Sequence, residues 1–337
     1  MKKQLLALAI GSMVVAPSVA LADKGPTVYG KVNVSYENVD DGTDDQWELN
    51  SNSSRIGVKG ELDLDVENVK AIYQAEFQID VDEGDNKGQT FSQRNIFGGF
   101  KHANLGTLTA GKFDTPFKKA QGDVDQFGDL DGDIGAVVDG EERASNIVQY
   151  SSPKVADAVT VNLAFIPGEG DTVAGDVQDG PADSFSSSIV FDNGTFYGAL
   201  AYDSEMSTSV YDAEFAGASD YAVDALRAVA MVSMDMFEVG VLYQMSETAE
   251  DIAGVSYEDS SYVVSGAVKL DRLKLKAQYG LADLDTTGEE LTLMAVGADY
   301  KVAKNSKVFG YFSRVETDLA DTEDSTFGIG FEHKFSM

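Results

Sequence analysis

The stretch 114–142 concentrates the residues that could do chemistry. It carries Asp114, Asp123, Asp125, Asp129, Asp131, Asp133, Asp139, Glu141 and Glu142 against Lys118 and Lys119. Carboxylates at that density hold cations or move protons. Asp129-Leu130-Asp131-Gly132-Asp133 opens like a calcium loop, but Ile134 stands where the turn glycine belongs and Gly140 where the bidentate glutamate belongs. Weak cation condensation is therefore a better reading than a specific metal site. Glu141-Glu142 reads as a solvated face, because nothing around the pair defines a pocket for acid–base work. The two histidines, His102 and His333, each lie in a strand-like segment and suit a barrel wall or rim better than a zinc or catalytic site. Cysteine is absent, which excludes disulfides and thiolate chemistry. The chemistry left is electrostatic, and no catalytic residue, cofactor or metal is expected.

The elements that must position these charges are exported. Lys2 and Lys3, the apolar run from Leu5 to Val15 and the small-residue signature Ala20-Leu21-Ala22 form a signal peptide over 1–22, which leaves 23–337 as one domain. The chain has 25 basic and 57 acidic residues and a net charge of −32. Nucleic acid is excluded as a partner, since phosphate binding needs clustered Lys and Arg. No mature segment has the 18 or so consecutive apolar residues of a membrane-spanning helix. Tyr (14) and Phe (18) suit strands and membrane-interface girdles.

Alternation with period two runs through the chain. Leu273, Leu275, Ala277, Tyr279 and Leu281 share one face, opposite Lys274, Lys276, Gln278 and Gly280. Val28, Gly30, Val32, Val34 and Tyr36 oppose Tyr29, Lys31, Asn33, Ser35 and Glu37. Phe237, Val239, Val241, Tyr243 and Met245 oppose Glu238, Gly240, Gln244 and Ser246, with Leu242 the exception. Sixteen strands are expected, near 27–37, 53–64, 68–80, 91–102, 106–113, 143–151, 158–166, 184–192, 195–204, 221–234, 236–248, 260–270, 273–282, 290–302, 307–317 and 325–335. Those at 91–102 and 221–234 alternate poorly. Short turns, such as Asp192-Asn193-Gly194 and Asp271-Arg272, alternate with long acidic stretches at 38–50, 81–90, 114–142, 167–183, 205–220, 249–259, 283–289 and 318–324. A soluble sandwich has no reason for that asymmetry. A transmembrane antiparallel β-barrel has one, because its short turns face the periplasm and its long loops face outward. The apolar faces then meet lipid or a neighbouring subunit, and sixteen strands leave an aqueous channel.

The sequence resembles the general diffusion porins of Gram-negative bacteria, the trimeric sixteen-stranded outer-membrane type. Ser54-Arg55-Ile56-Gly57-Val58-Lys59-Gly60, Gln93-Arg94-Asn95-Ile96-Phe97-Gly98-Gly99-Phe100 followed by Leu105-Gly106-Thr107-Leu108-Thr109-Ala110-Gly111-Lys112, Asn146-Ile147-Val148-Gln149-Tyr150-Ser151-Ser152-Pro153, and the last strand from Gly328 to Phe335 carry the resemblance, which covers 23–335. The family usually has Arg where Lys112 stands and ends on an aromatic residue read by the barrel-insertion machinery; here Ser336 and Met337 follow Phe335. The resemblance implies a homotrimer set in outer-membrane lipid and lipopolysaccharide. It also implies passive diffusion of small hydrophilic solutes and ions, and a third external loop folded into the pore.

That loop would be 114–142, with Asp123, Asp125, Asp129, Asp131 and Asp133 as the acidic side of a constriction. Opposite stand Arg55, Lys59, Lys70, Arg94 and Arg143. Parity supports the basic set: Arg55 and Lys59 share a face with Glu61, Lys70 with Gln74, Glu76 and Gln78, and Arg143 with Ser145 and Gln149. A charge on the lipid face would cost about 2–4 kcal/mol at midplane. The excess of acid predicts cation selectivity. Two other readings are an adhesin or surface-interaction protein working through its long loops, and a substrate-specific channel.

Overall fold

The computed structural model describes residues 25–82, 90–173, 176–207, 222–251, 254–285, 288–318 and 322–337. The expected signal peptide (1–22) and most of the acidic stretches 81–90 and 205–220 lie outside them.

Nearly every described residue belongs to a strand or a connection between strands. The strands are β1 (Thr27–Asp40), β2 (Asp45–Ser51), β3 (Arg55–Asp63), β4 (Val69–Ile79), β5 (Phe91–His102), β6 (Gly106–Asp114), β7 (Arg143–Ser151), β8 (Val159–Ile166), β9 (Asp171–Val173), β10 (Asp176–Gln178), β11 (Ser184–Asp192), β12 (Phe196–Ser207), β13 (Ala222–Ser233), β14 (Phe237–Thr248), β15 (Glu258–Leu270), β16 (Leu273–Leu284), β17 (Glu289–Ala303), β18 (Ser306–Thr317) and β19 (Thr322–Ser336). Each pairs antiparallel with its neighbour, and β19 closes onto β1. β2 and β3 share β1 as partner and are one barrel strand broken at 52–54, where Ser53 takes φ 50° and the Ser54 hydroxyl bonds both the N–H and the C=O of Asn33. With β9 and β10 forming a separate hairpin in an outer loop, the barrel has sixteen strands.

Burial is inverted relative to a water-soluble protein. Phe237, Val239, Val241 and Met245 on β14 are exposed on the outer surface, while Gln244, Ser246 and Thr248 of the same strand are buried. An apolar exterior around a polar interior fits a barrel in lipid. The C-terminal pair does not disturb closure: Ser336 lies in register with Tyr29, and Met337 exchanges backbone hydrogen bonds with Val28.

Several expected long loops are short. The stretch 38–50 is a hairpin with only 41–44 outside the strands, and the strands around 283–289 and 318–324 run on to leave 285–288 and 318–321 between them. Asp and Glu disfavour strands and so read as loop. Here the ladder continues through them, with Asp40 opposite Asp45 and Asp283 opposite Glu290. The stack of Tyr36 on Trp47, with ring centroids 4.9 Å apart, helps hold the first of these extensions.

Candidate functional site

The 115–142 segment lies inside the barrel, and its own sequence explains its shape. Thr115 caps a single helical turn, α1 (Pro116–Lys119), by accepting from Lys118 N, with Pro116 at the first position. Asp133 starts a short 3₁₀ turn (Ile134–Ala136): one carboxylate oxygen accepts from Gly135 N at 2.8 Å and the other from Asp129 N at 3.0 Å. Asp125 accepts from Phe127 N at 3.0 Å. These turns leave the apolar side chains on one side.

That side faces the wall. Phe117, Val124, Phe127 and Ile134 are fully buried, against inward-pointing Ala199, Ala201, Val229, Leu242, Val263 and Leu293 for the first group and against Ala295, Phe309 and Tyr311 for Phe127. Burial of such side chains is worth about 1.5–3 kcal/mol each, so a water-filled lumen drives the segment onto the wall. Inward glycines make room. A Cβ would come within 2.9 Å of Val124 at Gly240, 2.6 Å of Val137 at Gly280 and 3.0 Å of Phe127 at Gly297. Leu242, the exception to alternation, is inward because the segment covers it.

Polar contacts trace the segment around the barrel. Phe117 N donates to Ser186 on β11, and Tyr197 on β12 donates to the Ala120 carbonyl. Arg227 on β13 is fully buried: it donates to Glu141 at 2.8 Å, to the Asp139 and Phe117 carbonyls at 2.7 and 3.4 Å and to Gln244 at 2.9 Å, with its guanidinium 4.3 Å from the Phe117 ring centroid. On β16, Lys276 donates to the Gln126 carbonyl, while Gln278 accepts from Gln126 N and donates to the Gly132 carbonyl. Thr326 on β19 donates to Asp131, and Lys31 on β1 reaches Asp129 at 2.5 Å. The space left open borders β3 to β7.

On that open side the inward residues are charged and paired. Arg55, which lies in register with Lys31, sits 3.5 Å from Asp129 and 3.8 Å from Glu76. Arg94 contacts the same Glu76 at 3.1 Å and donates to Gln78. Arg143 contacts Asp114 at 2.9 Å. Burial pushes the Asp129 carboxyl up, but Lys31 and Arg55 more than offset it and hold it below the ordinary carboxylate value. Asp125 behaves oppositely: burial first, then the Asp133 carboxylate, holds it well above that value.

Of the expected acids, only Asp129 meets the expected bases. Asp131 is taken by Thr326, Asp125 and Asp133 bind backbone N–H groups of their own segment, and Asp123 is exposed. The carboxylates of Asp129, Asp131 and Asp133 thus go to different partners and do not converge. Of the expected bases, Arg55 and Arg94 join one network, and Arg143 sits at the root of the segment. Lys59 and Lys70 are not brought to it. Lys59 lies over the Tyr29 ring and Lys70 pairs with Glu61 and Asp63 near the short-turn end, because β3 and β4 carry them four and more residues below Arg55 and Gln78. Lys31, Arg227 and Lys276 were not among the expected site residues. Parity placed Lys31 and Lys276 on polar faces, whereas the strand of Arg227 alternates poorly. His102 accepts from Asn104 N and Leu105 N in a short turn, and His333 bonds Ser306 beside another.

A family model described as Gram-negative porin matches residues 7–336. No curated relative matches the sequence. Among solved structures, the chain is similar to an anion-selective porin from Comamonas acidovorans (TM-score 0.74, 18% identity, 92% of this chain and 99% of that one). It is also similar to the trimer form of the outer-membrane protein OmpT of Vibrio cholerae (0.66, 18%, 92% and 99%). A third is OmpF of Salmonella typhi in complex with daunomycin (0.68, 14%, 92% and 97%). At these identities the likeness is one of fold.

Proposed function

This chain belongs to the Gram-negative porin family and forms a channel in the outer membrane, and from that premise we propose that it is a general diffusion pore for small hydrophilic solutes and ions, narrowed by 115–142 and preferring cations. The observation that carries the reading is the placement of that segment. It is seated along the wall from β11 round to β1, and water is left a passage along the charged inner faces of β3 to β7. The passage sets Asp129 and Glu76 beside Lys31, Arg55 and Arg94. Opposed charges across a narrow aqueous slit favour polar solutes over apolar ones, which gain nothing from the field. The role proposed is passive: solutes cross down their own gradients.

Cation preference follows from the acid excess, net −32, rather than from the slit, where three bases stand beside two acids. The anion selectivity named for the Comamonas protein belongs to that protein, and at 18% identity its charges do not transfer. The apolar outer face suits lipid, lipopolysaccharide and two further copies in a homotrimer, with assembly by the barrel-insertion machinery. Single-channel recording in a planar bilayer tests the whole reading. The expected outcome is a large ohmic conductance at high salt, closing in three equal steps, with a reversal potential in a KCl gradient of cation-selective sign. Anion-selective reversal removes the preference, and absence of conductance removes the pore.

A further inference from the structure

Strand register gives the two ends of the barrel opposite signs. At the short-turn end lysine faces lysine across neighbouring strands: Lys70 opposite Lys101, Lys269 opposite Lys274 and Lys301 opposite Lys307. At the long-loop end acid faces acid: Glu37 opposite Glu48 on the lumen side, and Asp283 opposite Glu290 and Glu316 opposite Glu323 on the outward face of the rim. Like charges directly opposite one another destabilise a sheet, so sorting them this way gives no help to folding. Carboxylates at the lysine end are shared: Glu61 contacts Lys70 and Lys101, with Asp63 also on Lys70. Glu238 is shared by Lys269 and Lys274, and Asp299 by Lys276 and Lys307. At the acidic end, among the described residues, the cation paired with the rim acids is Arg314, which reaches both Glu316 and Glu323.

We propose that the channel is bipolar along its axis and rectifies current, its outer mouth gathering cations and its periplasmic mouth gathering anions. This rests on the pore reading above. Each mouth raises the local concentration of its counter-ion. When the outside is positive, cations move inward from the mouth that gathers them and anions outward from theirs, so both accumulate at the waist and current is high. When the outside is negative, both are drawn away from the waist, which is depleted, and current is low. Screening lengths of about 10 Å at 0.1 M and about 3 Å at 1 M set the range of the effect.

The test is the current–voltage curve of single channels inserted from one side of a planar bilayer in symmetric KCl. The chain has no cysteine, so orientation is read with Asp179→Cys in an outer loop and a bulky thiol reagent added to one compartment. The expected result is a ratio of currents above 1, larger with the loop side positive, at about 0.1 M, falling to 1 at about 1 M. In a variant carrying Lys70→Gln, Lys101→Gln, Lys269→Gln and Lys274→Gln the ratio falls toward 1 at low salt. If that variant does not insert, Lys301→Gln with Lys307→Gln gives the same direction with a smaller change. A symmetric curve at low salt, or rectification that survives the substitutions, overturns the inference while leaving a conducting pore. A protein that does not conduct overturns the pore and the inference together.

Discussion

Two parts of the inner wall are built differently. From β11 round to β18 many inward positions at mid-barrel are small or apolar, among them Ala199, Val229, Gly240, Leu242, Val263, Gly280 and Ala295, with Arg227, Lys276 and Gln278 as polar anchors between them, and a folded segment covers them. From β3 to β7 they are polar or charged, with Glu76, Arg94 and Gln149 buried and Arg55 and Arg143 partly exposed. Both are period-two strands of one sheet. The covered wall is a protein core made inside a channel, where shape decides energy. The open wall is a surface, where charge decides what passes. Changes on the first should therefore alter stability and current noise, and changes on the second should alter selectivity.

Arg227→Ala should have the largest effect. It leaves Glu141 and two carbonyls without their buried partner, and breaking a buried pair from one side costs about 3–5 kcal/mol. The segment should leave its seat. Unfolding temperature should fall, single-channel current should become noisy, and protease added to the folded protein should cut within 115–142. Quiet, wild-type current from this variant would show that the apolar seat alone holds the segment.

Gly280→Leu should come next. A Cβ there already meets Val137 at 2.6 Å, and overpacking of this kind costs about 1–3 kcal/mol. The segment should be lifted toward the open wall, with conductance lowered and ion selectivity nearly unchanged. Gly98, where a Cβ meets nothing within 4 Å, supplies the control: Gly98→Ala should leave conductance unaltered.

Strands and the long inserted segment were legible in the sequence because alternation and connection length are local properties. The lesson of Leu242 is that a break in alternation carried information: an apolar residue on a polar face marked where something apolar would land. The partners of the loop acids were not legible. Asp129 finds Lys31 across 98 positions, and nothing local distinguishes it from Asp125 or Asp133, which are absorbed by neighbouring N–H groups. Arg227 was hidden for a related reason. Ala225, Val229 and Met231 share its inward face because the segment covers them, so β13 reads as apolar on both sides. Lys59 and Lys70 had the right parity but the wrong depth, which parity cannot report.

A smaller effect concerns pH on the covered side. The Asp125 carboxyl is held well above the ordinary value of 3.8, by burial and then by Asp133. A carboxyl whose folded value is raised favours the folded state most when protonated. Its contribution is full below the ordinary value and is lost as pH rises through the raised one. Asp125→Asn should remove this dependence and raise the unfolding temperature at neutral pH, read as a flatter plot of unfolding temperature against pH. A plot of unchanged slope would assign the dependence to another group.

The smallest effect on stability, and the one that separates the two walls most cleanly, belongs to Asp129 and Arg55. Their side chains are 27% and 24% exposed at 3.5 Å, a pair expected to contribute no more than about 1 kcal/mol. Arg55→Gln should barely move the unfolding temperature, yet it removes a positive charge from the slit and should shift the reversal potential toward cations. Asp129→Asn should shift it toward anions. Arg55 and Arg227 are the same residue type on the same inner face, each bonded to a carboxylate of the same segment. If Arg55→Gln destabilised the barrel as Arg227→Ala does, the open wall would be structural too, and selectivity would have to be sought at the mouths. If selectivity shifts while stability holds, then burial alone separates an anchoring arginine from a filtering one.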